Sequence, residues 1–136
     1  MTPTDALPQV SPPRGAGQTL LVVDDDPALV ALTVEMLNGL GYQTMGYSDP
    51  LVALQTLRET PERFCAVVTD EVMPGLTGIE LAELCALHAP QIPVLMISGY
   101  GGALLASRAA AVGIRRILNK PLQRTELALA LAALLH

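Results

Sequence analysis

The sequence of 136 residues contains no tryptophan, one phenylalanine and three tyrosines. With so few aromatic side chains, a folded core must be built from leucine, valine, isoleucine and alanine, and a hydrophobic content of 51% is enough for one globular domain. Basic residues are also scarce, since eight of them against thirteen acidic residues leave a net charge of -5. No basic cluster exists beyond Arg115-Arg116, which disfavours nucleic-acid binding because that function requires positive charge to displace phosphate counterions.

Cysteine and long apolar runs are scarce as well. Cys65 and Cys85 lie far apart and lack metal-ligand spacing, so we expect both to be small buried hydrophobic residues in a reducing compartment. No apolar stretch approaches the roughly eighteen residues that a membrane span requires. The N-terminus is rich in proline and lacks the apolar region of a signal peptide. These features predict a cytoplasmic protein without membrane insertion.

The chain divides into a short N-terminal segment and one domain. Residues 1–18 are rich in proline and glycine and have few regularly spaced apolar residues, which is the composition of a flexible linker. From residue 19 to residue 136, strand-like apolar runs alternate with helical patterns five times. This alternation predicts an α/β domain with a doubly wound, five-stranded parallel sheet and helices on both faces.

Local signals predict where the helices and strands begin and end. Asp26 and Asp49 each precede a proline, and an aspartate N-cap followed by proline is a typical helix start. Gly113 is predicted to cap the fourth helix at its C-terminus. The predicted strands are 20–23, 42–46, 65–70, 94–97 and 114–118, and the predicted helices are 27 to 39 or 41, 50–61, 79–88, 103–112 and 125–135. The last helix is apolar around much of its circumference, which indicates a partner on its outer face.

Acidic, hydroxyl and basic side chains stand at the carboxyl ends of four predicted strands. Asp24 and Asp25 follow the first strand, Asp70 ends the third, Ser98 follows the fourth, and Lys120 comes just after the fifth. In an open parallel sheet these ends form the ligand crevice, so the groups should converge there. Each pair of carboxylates a few ångströms apart would repel by roughly 4 kcal/mol at an effective dielectric near 20. A hard divalent cation, with Mg²⁺ the best match, would relieve that repulsion.

The same side chains predict phosphoryl chemistry. An aspartate beside a metal ion, an ammonium group and a hydroxyl can attack phosphorus, since its neighbours neutralise charge on the transferred group. Asp70 is the candidate nucleophile, and the product would be an aspartyl phosphate. Each feature alone is less specific, because acidic residues at strand ends are often helix caps and a lysine before proline is ordinarily a solvated turn residue.

Four motifs together resemble the receiver domain of two-component response regulators. They are Val23-Asp24-Asp25-Asp26-Pro27, Thr69-Asp70-Glu71-Val72-Met73-Pro74-Gly75, Ser98-Gly99 and Lys120-Pro121, in that family's order and at its spacing. The match runs from residue 19 to the end of the chain. The resemblance implies the flavodoxin-like receiver fold and a Mg²⁺-dependent phosphoryl transfer from a histidine kinase to Asp70, as in a phosphorelay. The domain would catalyse its own phosphorylation and dephosphorylation and would then change its protein contacts.

The resemblance also implies functions for individual residues. Asp25, Asp70 and the backbone carbonyl of Val72 would ligate Mg²⁺ directly, and Asp24 would act through water. Ser98 would be the switch hydroxyl, and Lys120 would bind the phosphoryl group as the cation of the site.

One position departs from the family pattern. Ile117 stands three residues before the lysine, where the family commonly has an aromatic switch residue. Tyr100, two residues after Ser98, is the candidate to take over part of that function.

The resemblance further predicts the partners. A histidine kinase, in trans or in the same polypeptide, would donate the phosphoryl group, and a downstream protein would bind the surface of the fourth helix, fifth strand and fifth helix. Because no output domain follows the last helix, the chain is interpreted as a stand-alone regulator or as the C-terminal receiver of a hybrid sensor histidine kinase, with the second preferred. The sequence leaves open whether it forms a homodimer.

Two alternative functions are weighed against the receiver. A degenerate receiver would act as an interaction domain independent of phosphate, but the full set of acidic, hydroxyl and lysine residues argues against this loss. A phosphatase of the haloacid-dehalogenase kind would need a second acid two residues after the nucleophile, and Val72 occupies that position.

Overall fold

Five parallel strands form a single sheet in the computed structural model, which describes residues 11–99 and 102–135. The strands are β1 (Thr19–Val23), β2 (Gln43–Tyr47), β3 (Ala66–Asp70), β4 (Val94–Ser98) and β5 (Ile114–Asn119), in the spatial order β2-β1-β3-β4-β5. The α-helices are α1 (Pro27–Gly39), α2 (Pro50–Glu59), α3 (Gly78–His88), α4 (Ala103–Ala111) and α5 (Arg124–Leu135). The predicted doubly wound α/β fold is confirmed, and a short 3-10 helix, Pro61–Arg63, precedes β3.

Each face of the sheet buries its own core, because successive side chains of a strand point to opposite faces. Leu21 and Val23 of β1 belong to a cluster with residues of α2, α3 and α4. Leu20 and Val22 belong to a second cluster with residues of α1 and α5. The central strands β3 and β4 are buried at every position, as expected for a parallel sheet covered on both faces. Aliphatic residues thus fill both cores, as the composition predicts.

The predicted helix starts are confirmed by hydrogen bonds. The Asp26 carboxylate accepts the N–H of Ala28 at 2.9 Å, and the Asp49 carboxylate accepts the N–H of Leu51 at the same distance. Gly113 has a φ of +85° and follows Val112, the residue directly after the end of α4, as predicted for a C-terminal cap. In the part of the chain that the structure describes, no helix is long and apolar enough to cross a membrane.

Residues 11–18 contain no helix or strand but contact the loop between α1 and β2. The N–H of Gly15 donates to the carbonyl of Leu40 at 2.7 Å, and the N–H of Gly17 donates to the carbonyl of Gly41 at 2.8 Å. The Arg14 guanidinium donates to the carbonyl of Gly39 at 3.0 Å. This part of the predicted linker is therefore hydrogen-bonded to the domain, and residues 1–10 lie outside the described residues.

The two cysteines differ in their environment. Cys85 of α3 is buried in the first core cluster, as expected. Cys65 is exposed, so the expectation that it is buried is wrong. Strand β3 begins one residue later than predicted, at Ala66, and Cys65 therefore lies in the bend before the strand rather than between the sheet and a helix.

We predict that the two thiols react at very different rates. Burial raises the pKa of the Cys85 thiol to about 12, so its thiolate is scarce and enclosed at pH 7.5, whereas Cys65 is accessible. Intact-mass measurement after treatment with N-ethylmaleimide should show one adduct on the native protein and two in denaturant. Cys65→Ser should remove the native adduct, and rapid double labelling of the folded wild type would contradict the prediction.

Candidate functional site

The site lies at the carboxyl ends of β1 and β3, which are neighbours in the sheet although α1, β2 and α2 separate them in sequence. After β1 the chain continues into α1 on one face, and after β3 it continues into α3 on the other face. This divergence opens the crevice in which ligands bind in such sheets. One carboxylate oxygen from each of Asp24, Asp25 and Asp70 lies within 4.8 Å of the other two. The predicted convergence of these three acids is confirmed.

Burial separates the three acids. Asp24 and Asp70 are only 8% and 6% exposed to solvent, whereas Asp25 is exposed. Burial raises the pKa of Asp24, and the charges of Asp70 and Asp25 raise it further. A hydrogen bond of 2.9 Å from the N–H of Asp26 and the charge of Lys120 offset part of that increase. The folded protein thus holds a carboxylate at Asp24 at a cost in stability.

Lys120 brings a positive charge to the same crevice. Its Nζ atom lies 2.9 Å from Oδ1 of Asp70, and its backbone N–H donates a hydrogen bond to the backbone carbonyl of Ser98 at 2.8 Å. The hydrogen bond to Asp70 raises the pKa of Lys120 above its ordinary value, so the ammonium stays charged well beyond the neutral range. The Lys120 side chain is 36% exposed, so a ligand can reach it.

Ser98 is fully buried at the end of β4, and its side chain contacts an acid that the sequence did not single out as a site residue. The Ser98 hydroxyl donates to Oε1 of Glu71 at 2.6 Å. Asp70, the last residue of β3, pairs with Ile97 of β4, so the residues that follow them in the chain, Glu71 and Ser98, lie side by side. The contact of Glu71 with Ser98 could have been predicted only from this register, because no feature of the sequence around Glu71 indicates it.

A glycine at the start of α3 lies against the backbone of the site. The N–H of Gly78 donates to the carbonyl of Glu71 at 2.8 Å. A Cβ atom at position 78 would overlap the carbonyl oxygen of Asp70 and would lie 3.0 Å from Sδ of Met96. Gly78 therefore permits α3 to begin directly behind the end of β3.

The remaining predicted residues lie around this centre. Val72 is in the loop after Asp70, with its side chain 71% exposed. Ile117 pairs with Met96 in the sheet and is half-buried against the core that α4 covers, away from the three carboxylates. Tyr100 lies outside the described residues. The structure therefore brings together Asp24, Asp25, Asp70 and Lys120 and places Ser98 one strand away.

The donor set suits a hard divalent cation. The three acids offer oxygen ligands only, two of them are largely buried, and burial together with their mutual repulsion raises the pKa of Asp24. Oxygen ligation by a few carboxylates, with positions left for water and phosphate oxygens, is the pattern typical of Mg²⁺. The residues that are present therefore fit the cation implied by the sequence.

Comparison with known proteins gives the family. Residues 20–132 match the model of the response regulator receiver domain, and the chain belongs to this family. It is 35% identical over 112 residues to a two-component response regulator of Arabidopsis thaliana, covering 82% of this chain and 29% of that protein. It is 32% identical over 103 residues to the phosphoglycerate transport system transcriptional regulatory protein of Salmonella typhimurium, covering 76% of this chain and 24% of that protein.

A solved structure shows the same fold. The chemotaxis protein CheY4 of Vibrio cholerae superposes with a TM-score of 0.81 at 25% identity, covering 88% of this chain and all of that one. The chain spans less than a third of the length of the two curated relatives named above.

We predict that a methyl group at position 78 disturbs both stability and the site. Gly78→Ala should lower the free energy of unfolding by about 1–3 kcal/mol, as overpacked core substitutions do, because the backbone of Asp70 must shift. Gly99→Ala is the matched control, since a Cβ there meets no atom within 4 Å and Gly99 caps no helix. Urea unfolding measures both variants, and equal stabilities of Gly78→Ala and Gly99→Ala would show that the close approach is not restrictive.

We also predict that Asp24→Asn stabilises the metal-free protein. A raised pKa means that the folded state binds the Asp24 proton more tightly than the unfolded chain, so stability falls as pH rises from 3.8 through the raised value. At pH 7 a neutral asparagine removes the loss of stability that the charged Asp24 causes, and its side-chain oxygen can still accept the hydrogen bond from the N–H of Asp26. The melting temperature in chelator should rise by about 4 °C, which corresponds to about 1 kcal/mol.

The pH dependence supplies the check on this prediction. The difference between Asp24→Asn and wild type should shrink as the pH falls toward 3.8 and vanish well below it, where Asp24 is protonated in both states of the wild type. Asp49→Asn is the control, because asparagine caps a helix as well as aspartate does and Asp49 is exposed. A lower melting temperature for Asp24→Asn at pH 7 in chelator would be inconsistent with the raised pKa.

Proposed function

We propose that this receiver domain accepts a phosphoryl group on Asp70 from the phosphohistidine of a histidine kinase, in a Mg²⁺-dependent reaction. The observation that carries the proposal is the position of the Asp70 carboxylate. It is largely buried at a strand end, 2.9 Å from the Lys120 ammonium and close to two further carboxylates. Such a carboxylate is shielded from bulk water, and it lies beside an ammonium group and two acids that would hold a divalent cation; both positive charges can balance that of a phosphoryl group.

In the proposed transfer, an oxygen of Asp70 attacks phosphorus, and the bond between phosphorus and the histidine nitrogen breaks. The electron pair of that bond leaves with the imidazole, and the product is an acyl phosphate on Asp70. Lys120 is paired with Asp70 in the unphosphorylated structure, and after the transfer its ammonium would bind a negatively charged phosphoryl oxygen instead. Asp25, Asp70 and the carbonyl of Val72 would hold Mg²⁺, with Asp24 acting through water, and the cation would supply positive charge beside the transferred group.

The proposed output surface is built from α4, β5 and α5. Leu104 and Leu129 are 75% and 55% exposed on the two helices, and Arg115 and Arg116 are exposed on the strand between them. With exposed leucines on both helices and exposed arginines on the strand, this surface is partly apolar and partly cationic, which suits a protein partner with complementary acidic groups. We propose that phosphorylation alters the affinity of this face for a downstream protein in the cytoplasm.

We predict that Asp70 is phosphorylated by a small donor. Intact mass after incubation with acetyl phosphate and Mg²⁺ should show one added phosphoryl group, absent in chelator and absent in Asp70→Asn. Asp26→Asn is the control, because Asp26 caps α1 and its replacement keeps the cap.

The outcomes separate the candidates. Phosphorylation of Asp70→Asn at the wild-type level would place the acceptor elsewhere and contradict the proposal. A folded wild type that stays unmodified with acetyl phosphate and with a phosphorylated histidine kinase domain would favour the phosphate-independent interaction domain.

A further inference from the structure

We propose that Glu71 is a positioning residue. It holds the Ser98 hydroxyl by a hydrogen bond in the unphosphorylated protein, and it competes with the phosphoryl group for the hydrogen bond that this hydroxyl can donate. The inference rests on the proposed function, because it concerns what happens to Ser98 when Asp70 is phosphorylated. It assigns a regulatory function to a residue other than the three aspartates and the lysine of the site.

The contact between the two side chains is short and enclosed. Ser98 is fully buried, and its hydroxyl lies 2.6 Å from Oε1 of Glu71, a distance typical of a hydrogen bond to a charged oxygen. Glu71 is half-buried, so its carboxylate is partly shielded from water that would weaken the bond.

The backbones on both sides of this contact are fixed. The N–H of Glu71 donates to the carbonyl of Ile97 at 3.0 Å, and the carbonyl of Glu71 accepts the N–H of Gly78 at 2.8 Å. The carbonyl of Ser98 accepts the N–H of Lys120 at 2.8 Å. The contact between Glu71 and Ser98 is therefore broken most easily by side-chain rotation, without displacement of β3 or β4.

A serine hydroxyl has one proton to donate, so the bond to Glu71 and a strong bond to a phosphoryl oxygen exclude each other. If Ser98 turns toward the phosphoryl group, the carboxylate of Glu71 loses its donor. Glu71 thus stabilises the unphosphorylated arrangement and sets part of the equilibrium between the two states. Removal of this acceptor should shift the equilibrium toward the phosphorylated arrangement.

The experiment measures the affinity for beryllofluoride, a phosphoryl analogue, in the presence of Mg²⁺ by NMR titration. We expect Glu71→Ala to bind it about 5–10 times more tightly than wild type. Glu71→Gln keeps a carbonyl oxygen at the same reach without the charge and should fall between the two. Glu83→Ala, which removes an exposed acid from α3, should leave the affinity unchanged.

A double-mutant cycle separates the hydrogen bond from simple loss of negative charge near the site. In a Ser98→Ala background, Glu71→Ala should change the affinity less than twofold, because no hydroxyl remains to be released. An equal gain in both backgrounds would show a charge effect and overturn the inference, as would unchanged affinity on the wild-type background. Thermal unfolding of each variant identifies any loss of the folded state.

Failure of the proposed function gives a different result. In that case the wild type would neither bind beryllofluoride nor accept a phosphoryl group from acetyl phosphate, and both proposals would fall together. Binding by the wild type without coupling between Glu71 and Ser98 would overturn only the inference about Glu71.

Discussion

Repulsion among three carboxylates at one edge of the sheet is the constraint on which the site depends. Asp24, Asp25 and Asp70 each contribute an oxygen within 4.8 Å of the others, and the chain supplies its single lysine against Asp70. One ammonium group cannot neutralise three acids, so the metal-free site retains excess negative charge. This excess is the physical basis of the proposed cation binding, and it explains why a bound cation, rather than better packing, should stabilise this end of the molecule.

The rest of the fold holds these charges in place. Strands β3 and β4 are buried along their length, and they are fixed by apolar clusters on both faces of the sheet. Gly78 allows α3 to start in contact with the backbone of Asp70. The N–H of Lys120 is bonded to the carbonyl of Ser98, so the lysine and the hydroxyl residue are positioned by the same strand pair. Side-chain rotation is therefore the easiest motion at this edge.

Much of this arrangement could be predicted from the sequence because the signals are local. Apolar runs ended by Asp24, Asp70 and Ser98 mark strand ends, and an aspartate before a proline marks the helix starts at Asp26 and Asp49. The contact between Glu71 and Ser98 could not be predicted, because it depends on the register of β3 against β4. The exposure of Cys65 likewise depends on a shift of one residue in the start of β3, which an apolar run cannot specify.

A crystal structure with Mg²⁺ and beryllofluoride bound would test the central claim most directly, namely that Asp70 is the phosphoryl acceptor in a cation site formed by the acidic cluster. The claim predicts the analogue on an oxygen of Asp70, the cation on Asp25 and Asp70, and Nζ of Lys120 moved from Asp70 to a fluorine. A structure in which the analogue or the cation lies elsewhere, with Lys120 still paired to Asp70, would contradict it.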